Sequence, residues 1–377
     1  MINVLHLRDT NKICGPGKTI LETACRIDQS RFNLSVGLFL QTPDETNQYR
    51  EALENRGVNM IPLVAKSQFS LSIIKTTIDI VNDNNIHILH SHDYKSDILT
   101  AIISKKVNIP VITTAHGWIT NTLKSKLYTW AGKQSFRFFD RVIAVSPKIR
   151  NEISRCGVSD EHLILIYNAI VSDSYIKSDF EPGSLRSRFN IPEHIKIIGN
   201  IGRISAEKGQ ETFILAAKEL LKHRNDIAFI LTGDGPDRQR IENLVDQLGI
   251  RESVFFTGHL KDVRPVFRDL DIFALTSYTE GFPNVVLESL CMDVPVLATD
   301  VGGTADIISD KETGVLIEAG SPEQVASGLT YLLDNPVDAA NFTEAGKNKL
   351  KQYFEFSIRV NKIEKLYDSL LNEHRKQ

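Results

Sequence analysis

Short runs of Ile, Val and Leu recur along the chain, each closed by turn residues and separated from the next by a helix-length stretch. That alternation predicts strands joined by crossover helices in parallel sheets. It occurs twice. The first set is Ile2–Leu7, Ser35–Leu40, Ile86–His90, Val111–Ala115, Arg141–Val145 and Leu163–Tyr167. The second is Ile195–Ile201, Ile227–Thr232, Val254–Gly258, Ile272–Thr276, Val294–Thr299 and Val315–Glu318. The runs are continuous rather than alternating, which suits strands covered on both faces. Between the sets, the polar stretch Val171–Asn190 carries Pro182-Gly183 and reads as the interdomain connection. The expected domains are residues 1–178 and 179–355. After Asn335-Pro336 the pattern is helical, and Ile358, Ile363, Leu366, Leu370 and Leu371 give the segment 356–377 an apolar stripe to bury, expected against the first domain. The fold class expected is α/β, with two Rossmann-like, doubly wound parallel-sheet domains facing across a cleft. Ligands of such sheets bind outside the carboxyl ends of the strands. No fixed-period repeat is visible, so the duplication is one of architecture.

Composition narrows the function classes. No apolar stretch approaches the roughly 18 residues of a membrane-spanning helix, and Met1-Ile2-Asn3-Val4-Leu5-His6 lacks the basic start of a signal peptide, so a cytoplasmic protein is expected. Cys14, Cys25, Cys156 and Cys291 are scattered, which argues against a disulfide framework or a structural zinc site and for buried thiols. The net charge of -3 conceals +5 over residues 1–170 and -8 over the remainder. Neither that imbalance nor any zinc-finger or helix-turn-helix spacing argues for a nucleic-acid partner.

Two segments carry candidate chemistry. Gly202-Arg203-Ile204-Ser205-Ala206-Glu207-Lys208-Gly209 places two cations five residues apart at the carboxyl end of a strand. Such a pair suits a diphosphate, although a solvated loop would read the same way in isolation. Glu280-Gly281-Phe282-Pro283-Asn284-Val285-Val286-Leu287-Glu288 follows Ile272–Thr276, and Asn284 is placed to cap the next helix, whose free amides would receive an anion. Glu288 sits among apolar neighbours, where ribose hydroxyls, or partial hydration near the helix start, would satisfy it.

Competing motifs fail on spacing. Gly15-Pro16-Gly17-Lys18-Thr19 resembles the end of a P-loop, but that pattern needs glycine at the position of Lys12, and the third glycine of a dinucleotide fingerprint is missing. Asp269-Leu270-Asp271 precedes a strand rather than following one, so it reads as solvation of a helix end. His90-Ser91-His92-Asp93 reads as hydrogen-bonded strand-end histidines, with His92 behind the acceptor side, in preference to a metal set. Lys126, Trp130, Lys133 and Arg137, with Lys124, Tyr128, Phe136 and Phe139 nearby, form a basic and aromatic stripe at helical spacing. It either packs inward or docks on an anionic membrane surface.

Taken together, G-R-x-x-x-x-K-G and E-G-F-P-N-V-V-L-E resemble glycosyltransferase family 4, retaining enzymes of the GT-B fold. Ala115-His116-Gly117, Val142-Ile143-Ala144-Val145-Ser146, Tyr167-Asn168-Ala169, Thr232-Gly233-Asp234-Gly235-Pro236 and Thr257-Gly258-His259 extend the resemblance over nearly the whole chain. It implies a retaining transferase moving a hexose-type sugar from a nucleotide-sugar donor to a glycan or lipid-linked acceptor in bacterial surface polysaccharide or glycolipid synthesis. UDP-sugar is favoured and GDP-mannose second, with no metal or cofactor. Arg203 and Lys208 would hold the donor diphosphate, approached by Gly15 and Gly17 of the loop Gly15-Pro16-Gly17. Glu280, Gly281, Phe282, Pro283, Asn284 and His116 would meet the sugar, Glu288 the ribose, and Gly258, His259 and Leu260 the base. Glu280, His116, Lys208 and Arg203 form the implied catalytic set. Pro16 between the glycines, and Asn168-Ala169-Ile170-Val171 in place of N-G-V-D, depart from the family pattern. The rival readings are a non-catalytic nucleotide-sugar-binding homologue or scaffold partner, and an epimerase or phosphorylase on the same fold.

Overall fold

A computed structural model describes residues 1–64, 71–118 and 123–376 and resolves two units, Met1–Ala169 with Phe356–Gln377, and Ile170–Glu355. In the first unit β1 (Ile2–Arg8), β2 (Phe32–Leu40), β3 (Asn59–Val64), β4 (Ile88–Ser91), β5 (Val111–Ala115), β6 (Arg141–Ala144) and β7 (Leu163–Leu165) form a parallel sheet in the order β3-β2-β1-β4-β5-β6-β7. Val4, Leu5 and Leu7 are fully buried, as continuous apolar strands between helical layers should be. The strand not expected is β3. Its Pro62 interrupts the apolar run, and proline is tolerated because β3 lies at the sheet edge, where a missing N–H breaks no second ladder.

The helix Phe356–His374 completes this unit. It buries Phe356, Val360, Ile363, Leu366, Tyr367 and Leu370 and packs on the helix Gly15–Arg26, with Arg31 to Asp368 (2.6 Å) and Arg141 to Glu373 (2.8 Å) at its rim. The buried stripe is rotated from the expected one. Ile358 and Leu371 are only half-buried, while Arg359 is buried and donates to the carbonyls of Ile166 (3.2 Å) and Tyr167 (2.7 Å). Removal from water holds its guanidinium down, to about 10.

The second unit repeats the plan. β8 (Lys196–Ile201), β9 (Ile227–Thr232), β10 (Val254–Gly258), β11 (Ile272–Leu275), β12 (Val296–Thr299) and β13 (Val315–Ile317) run parallel in the order β10-β9-β8-β11-β12-β13. In each sheet the order reverses beside the first strand, between β1 and β4 and between β8 and β11, which is where such folds bind ligands. The boundary lies at Ala169–Ile170 instead of residue 178. The N–H of Ile170 donates to Phe354 O (2.9 Å) and that of Ser172 to Glu355 (3.2 Å), which ties residues 170–178 to the second unit. Cys291 is buried, whereas Cys14, Cys25 and Cys156 are half-buried, so the expectation of four buried thiols holds for one of them. No helix among the described residues is long and apolar enough to cross a membrane.

Ile363 is 1 % exposed, so Ile363→Ala should leave a cavity and cost about 2–5 kcal/mol. Both tryptophans, Trp118 and Trp130, belong to the first unit, so a denaturant titration followed by their fluorescence reads that unit alone. An unshifted midpoint would mean that the last helix is not part of this core.

Candidate active site

At the carboxyl edge of the second sheet the loops after β8 and β11 are locked together by backbone. Gly209 has φ +63°, and a Cβ there would collide with the Thr276 carbonyl; the Thr276 hydroxyl donates to Gly209 O at 3.0 Å. Gly233, at the end of β9, presses on the Gly202 carbonyl in the same way. This close approach sets Lys208 against Glu280. Its ammonium donates to Oε1 at 2.6 Å, and the Ser277 hydroxyl donates to that same oxygen at 2.6 Å. Glu280 is nearly buried (side chain 9 % exposed) and Lys208 is partly open (27 %). Arg203, on the same loop as Lys208, is exposed and has no side-chain partner among the described residues; Gln210 holds its carbonyl at 2.9 Å. The edge therefore offers one tethered cation, one free cation and one oriented carboxylate.

The helix Asn284–Cys291 starts beyond this loop. Asn284 does not cap it, contrary to expectation. Pro283 is the N-cap and Asn284 is the first helical residue, its Oδ1 buried without a partner. Gly281 O receives the Gly303 N–H (2.9 Å), and the Phe282 ring is buried against Phe354, centroids 5.3 Å apart. One turn on, Glu288 is 6 % exposed and accepts from the Tyr175 hydroxyl at 2.9 Å, so part of what a ribose was expected to supply is already present. At the end of β10, Gly258 takes φ +74°, His259 is exposed and Leu260 half-buried. Asp269 and Asp271 lie at the other end of β11. Asp269 accepts from the N–H groups of Gly183 (2.5 Å) and Leu185 (2.7 Å), and Asp271 from Lys196 (2.8 Å) and the Ile197 N–H (2.8 Å).

In the first unit Gly15, Pro16 and Gly17 are not a loop but the first turn of the helix Gly15–Arg26. There the missing proline N–H costs no helical hydrogen bond. A Cβ on Gly17 would lie 3.0 Å from the buried Tyr49 ring, a tight contact that the ring would have to yield to. His116 follows β5. Its Nε2 lies 3.2 Å from His92 Nδ1, and its own Nδ1 is buried and unpartnered. His6, on β1, is in register with His90, on β4, and His6 Nδ1 meets His92 Nε2 at 2.8 Å. Asp93 caps the helix Tyr94–Ile103 and pairs with Arg8 (3.7 Å). On the helix Leu123–Ser135, Lys126, Leu127 and Trp130 are exposed. Lys133 instead bonds Glu152 (3.2 Å) and covers the Trp118 ring (3.8 Å), and Arg137 bonds Gln134 (2.6 Å). Tyr128 stacks on Tyr94, while Phe136 and Phe139 are buried; the Lys124 side chain lies outside the described residues.

The family described as "Glycosyltransferase Family 4" matches residues 15–174, and "Glycosyl transferases group 1" matches residues 184–349. The chain belongs to the family 4 glycosyltransferases. Among curated relatives, this glycosyltransferase is 27 % identical to N-acetyl-alpha-D-glucosaminyl L-malate synthase of Bacillus anthracis over 84 % of its own length and 83 % of the relative's. Among solved structures it resembles Anabaena HepE in complex with UDP-glucose, with TM-score 0.85, 19 % identity, and 98 % and 100 % of the two chains covered. It also resembles sucrose-phosphate synthase of Thermosynechococcus elongatus, with TM-score 0.82, 18 % identity, and 99 % and 100 % covered. The fold of the glycosyltransferase is thus GT-B.

Sequence reasoning missed Tyr175 and Ser277 as partners of Glu288 and Glu280, and His6 and Tyr367 as members of the histidine group that reaches His116 through His92. Tyr175 reaches Glu288 from 113 positions upstream, and Tyr367 bonds His6 at 2.9 Å across 361 positions, separations at which no local spacing carries a signal. Burial and the nearby Arg359 charge push His6 down to about 3, and burial above all holds His90, His92 and His116 well below the ordinary histidine range. Burial raises Asp97 to about 8, against the hydroxyls of Ser91 and Thr113 that donate to it at 2.6 Å.

These depressed imidazoles stay neutral in the fold but charge near pH 6.5 once unfolded, so their stabilisation is present above 6.5 and is lost as pH falls. Each contributes up to about 1.4 kcal/mol per pH unit. Asp97 acts oppositely, its stabilisation being lost as pH rises toward 8, and Asp9, whose carboxyl burial also raises, acts in the same sense, but they are two groups against four. Tryptophan-monitored denaturation should therefore show a lower midpoint at pH 5 than at pH 7, and equal midpoints would contradict neutral buried histidines.

Proposed function

We propose that the protein transfers a hexose-type sugar from a UDP-sugar to a glycan or lipid-linked acceptor, with retention at the anomeric carbon and without a metal ion. The observation that carries this reading is the Lys208–Glu280 ion pair, with the exposed Arg203 on the same loop as Lys208, at the edge where the second sheet reverses its order. Departure of a nucleoside diphosphate develops negative charge, and cations fixed beforehand receive it without reorganising. Arg203 and Lys208 take the phosphates, Glu280 a sugar hydroxyl and Glu288 the ribose. Gly281, Phe282, Pro283 and Asn284 border the sugar, and Gly258, His259 and Leu260 border the base. In the first unit the first-turn amides of Gly15 and Gly17 are read as phosphate contacts and His116 as a contact to the sugar. In the transfer itself the acceptor oxygen bonds to the anomeric carbon on the face from which the diphosphate leaves, and the acceptor proton passes to an oxygen of that diphosphate. Support for UDP comes from HepE, solved with UDP, with UDP and glucose, and with UDP-glucose.

The acceptor side carries a surface suited to lipid. Leu127 (62 % exposed) and Trp130 (61 %) sit three residues apart on one helix beside Lys126, an apolar ridge flanked by charge that fits the inner face of an anionic membrane.

Lys208→Met should lower UDP release from UDP-sugar by about 10²–10³-fold with the fold intact, and EDTA should leave the wild-type rate unchanged. A near-normal rate in the variant would remove Lys208 from the phosphate site, and loss of activity in EDTA would remove the metal-free mechanism. Leu127→Glu with Trp130→Glu should abolish co-sedimentation with phosphatidylglycerol vesicles, whereas unchanged sedimentation would overturn the membrane contact.

A further inference from the structure

We infer that Thr114, His90, Tyr367, His6, His92 and His116 form one hydrogen-bond chain of fixed direction, which leaves His116 presenting its Nδ1–H as a donor to a ligand oxygen. The links are continuous. Thr114 Oγ1 lies 2.8 Å from His90 Nε2, and His90 Nδ1 lies 2.9 Å from the Tyr367 hydroxyl. That hydroxyl is 2.9 Å from His6 Nε2, His6 Nδ1 is 2.8 Å from His92 Nε2, and His92 Nδ1 is 3.2 Å from His116 Nε2. All six residues belong to the first unit.

A neutral imidazole has one N–H and one lone pair, so donation into one nitrogen forces donation out of the other. The hydroxyl of Tyr367 transmits direction in the same way. The chain therefore has only two fully bonded states, and every member reverses between them. The buried end decides. Thr114 is 1 % exposed, and among the described residues its hydroxyl has no partner except His90. If His90 donated to Thr114, the threonine proton would be stranded in a dry interior and His116 Nδ1 would be an unpaired acceptor. If Thr114 donates, only the His116 N–H is left over. The second state strands one group fewer. It runs Thr114 to His90, to Tyr367, to His6, to His92, to His116, and puts the proton of all four histidines on Nδ1. Burial keeps the rings neutral, as this requires.

The same three residues His6, His90 and His92 have ring nitrogens within 4.8 Å of one another, close enough to suggest a metal. A metal needs lone pairs converging on one point. Here His90 and His92 are stacked at 4.2 Å, and the nitrogens of all three rings are engaged within the chain.

The consequence deepens the proposed function and rests on its reading of His116 as a sugar contact. His116 donates to a sugar or phosphate oxygen and is not the base that removes the acceptor's proton. Thr114 and Tyr367, which need touch no substrate, are then positioning residues that hold His116 in its donor form.

The test is long-range 1H–15N correlation of the histidine side chains in the full chain labelled with [15N]histidine. The expected result is the Nδ1–H tautomer for His6, His90, His92 and His116; Nε2–H signals for these four would overturn the inference without any appeal to activity. Thr114→Val keeps the shape and removes the hydroxyl. It should give His116 a mixed tautomer and lower kcat about tenfold while UDP binding is unchanged, and Thr114→Ser should restore both. A tautomer and a kcat unaffected by Thr114→Val would equally overturn it. Zinc added alone should not raise the melting temperature; a stoichiometric rise lost in His6→Gln would mean a metal site instead. Should the wild type release no UDP from any UDP-sugar while showing four Nδ1–H rings, the proposed function fails and the chain stands.

Discussion

The absence of a side chain at Gly209 is the constraint on which the second unit's edge rests. Because nothing larger fits beneath the Thr276 carbonyl, the turn after β8 drops against the end of β11, and Lys208 arrives within hydrogen-bonding distance of Glu280. Ser277 then fixes the carboxylate from the other side. A cation on a flexible stem gains catalytic value when its position is settled before the ligand arrives, since reorganisation is then not repeated in each turnover.

The first unit solves a related problem with neutral groups. Its reversal point gathers four imidazoles where a salt-bridge network would be costly to desolvate. Stacking and N–H···N contacts satisfy the rings without net charge, while Arg8 and Asp93 keep the ionic contact at the strand ends. The two edges thus differ in character, one cationic and poised for an anion, the other built around a neutral, directional chain of imidazoles.

How much of this could be read in the amino-acid pattern follows from the range of each interaction. The strands of both sheets were legible because apolar runs are local, and β3 escaped because Pro62 mimics a break that only its edge position excuses. Arg203, Lys208, Glu280 and Glu288 were legible as a motif, since two loops at strand ends encode them in consecutive residues. What Glu288 touches was not, because Tyr175 comes from a distant segment. Asn284 was misplaced by one residue: Pro283, extended and unable to donate, is the better stop before a helix. Gly15 and Gly17 looked like a loop because glycine and proline punctuate turns, yet proline is equally at home in a first helical turn.

The path of the chain between the units has a consequence for synthesis. The first unit needs residues 1–169 and also 356–377, with the whole second unit made in between. Nascent chains usually fold their amino-terminal domain first. Here that domain waits with an open flank, and the imidazoles of His6 and His90 lack their shared hydroxyl until Tyr367 clears the ribosome. The domain begun first is therefore finished last, and a chain cut just before its final helix keeps every residue of the second unit while leaving the first unsealed.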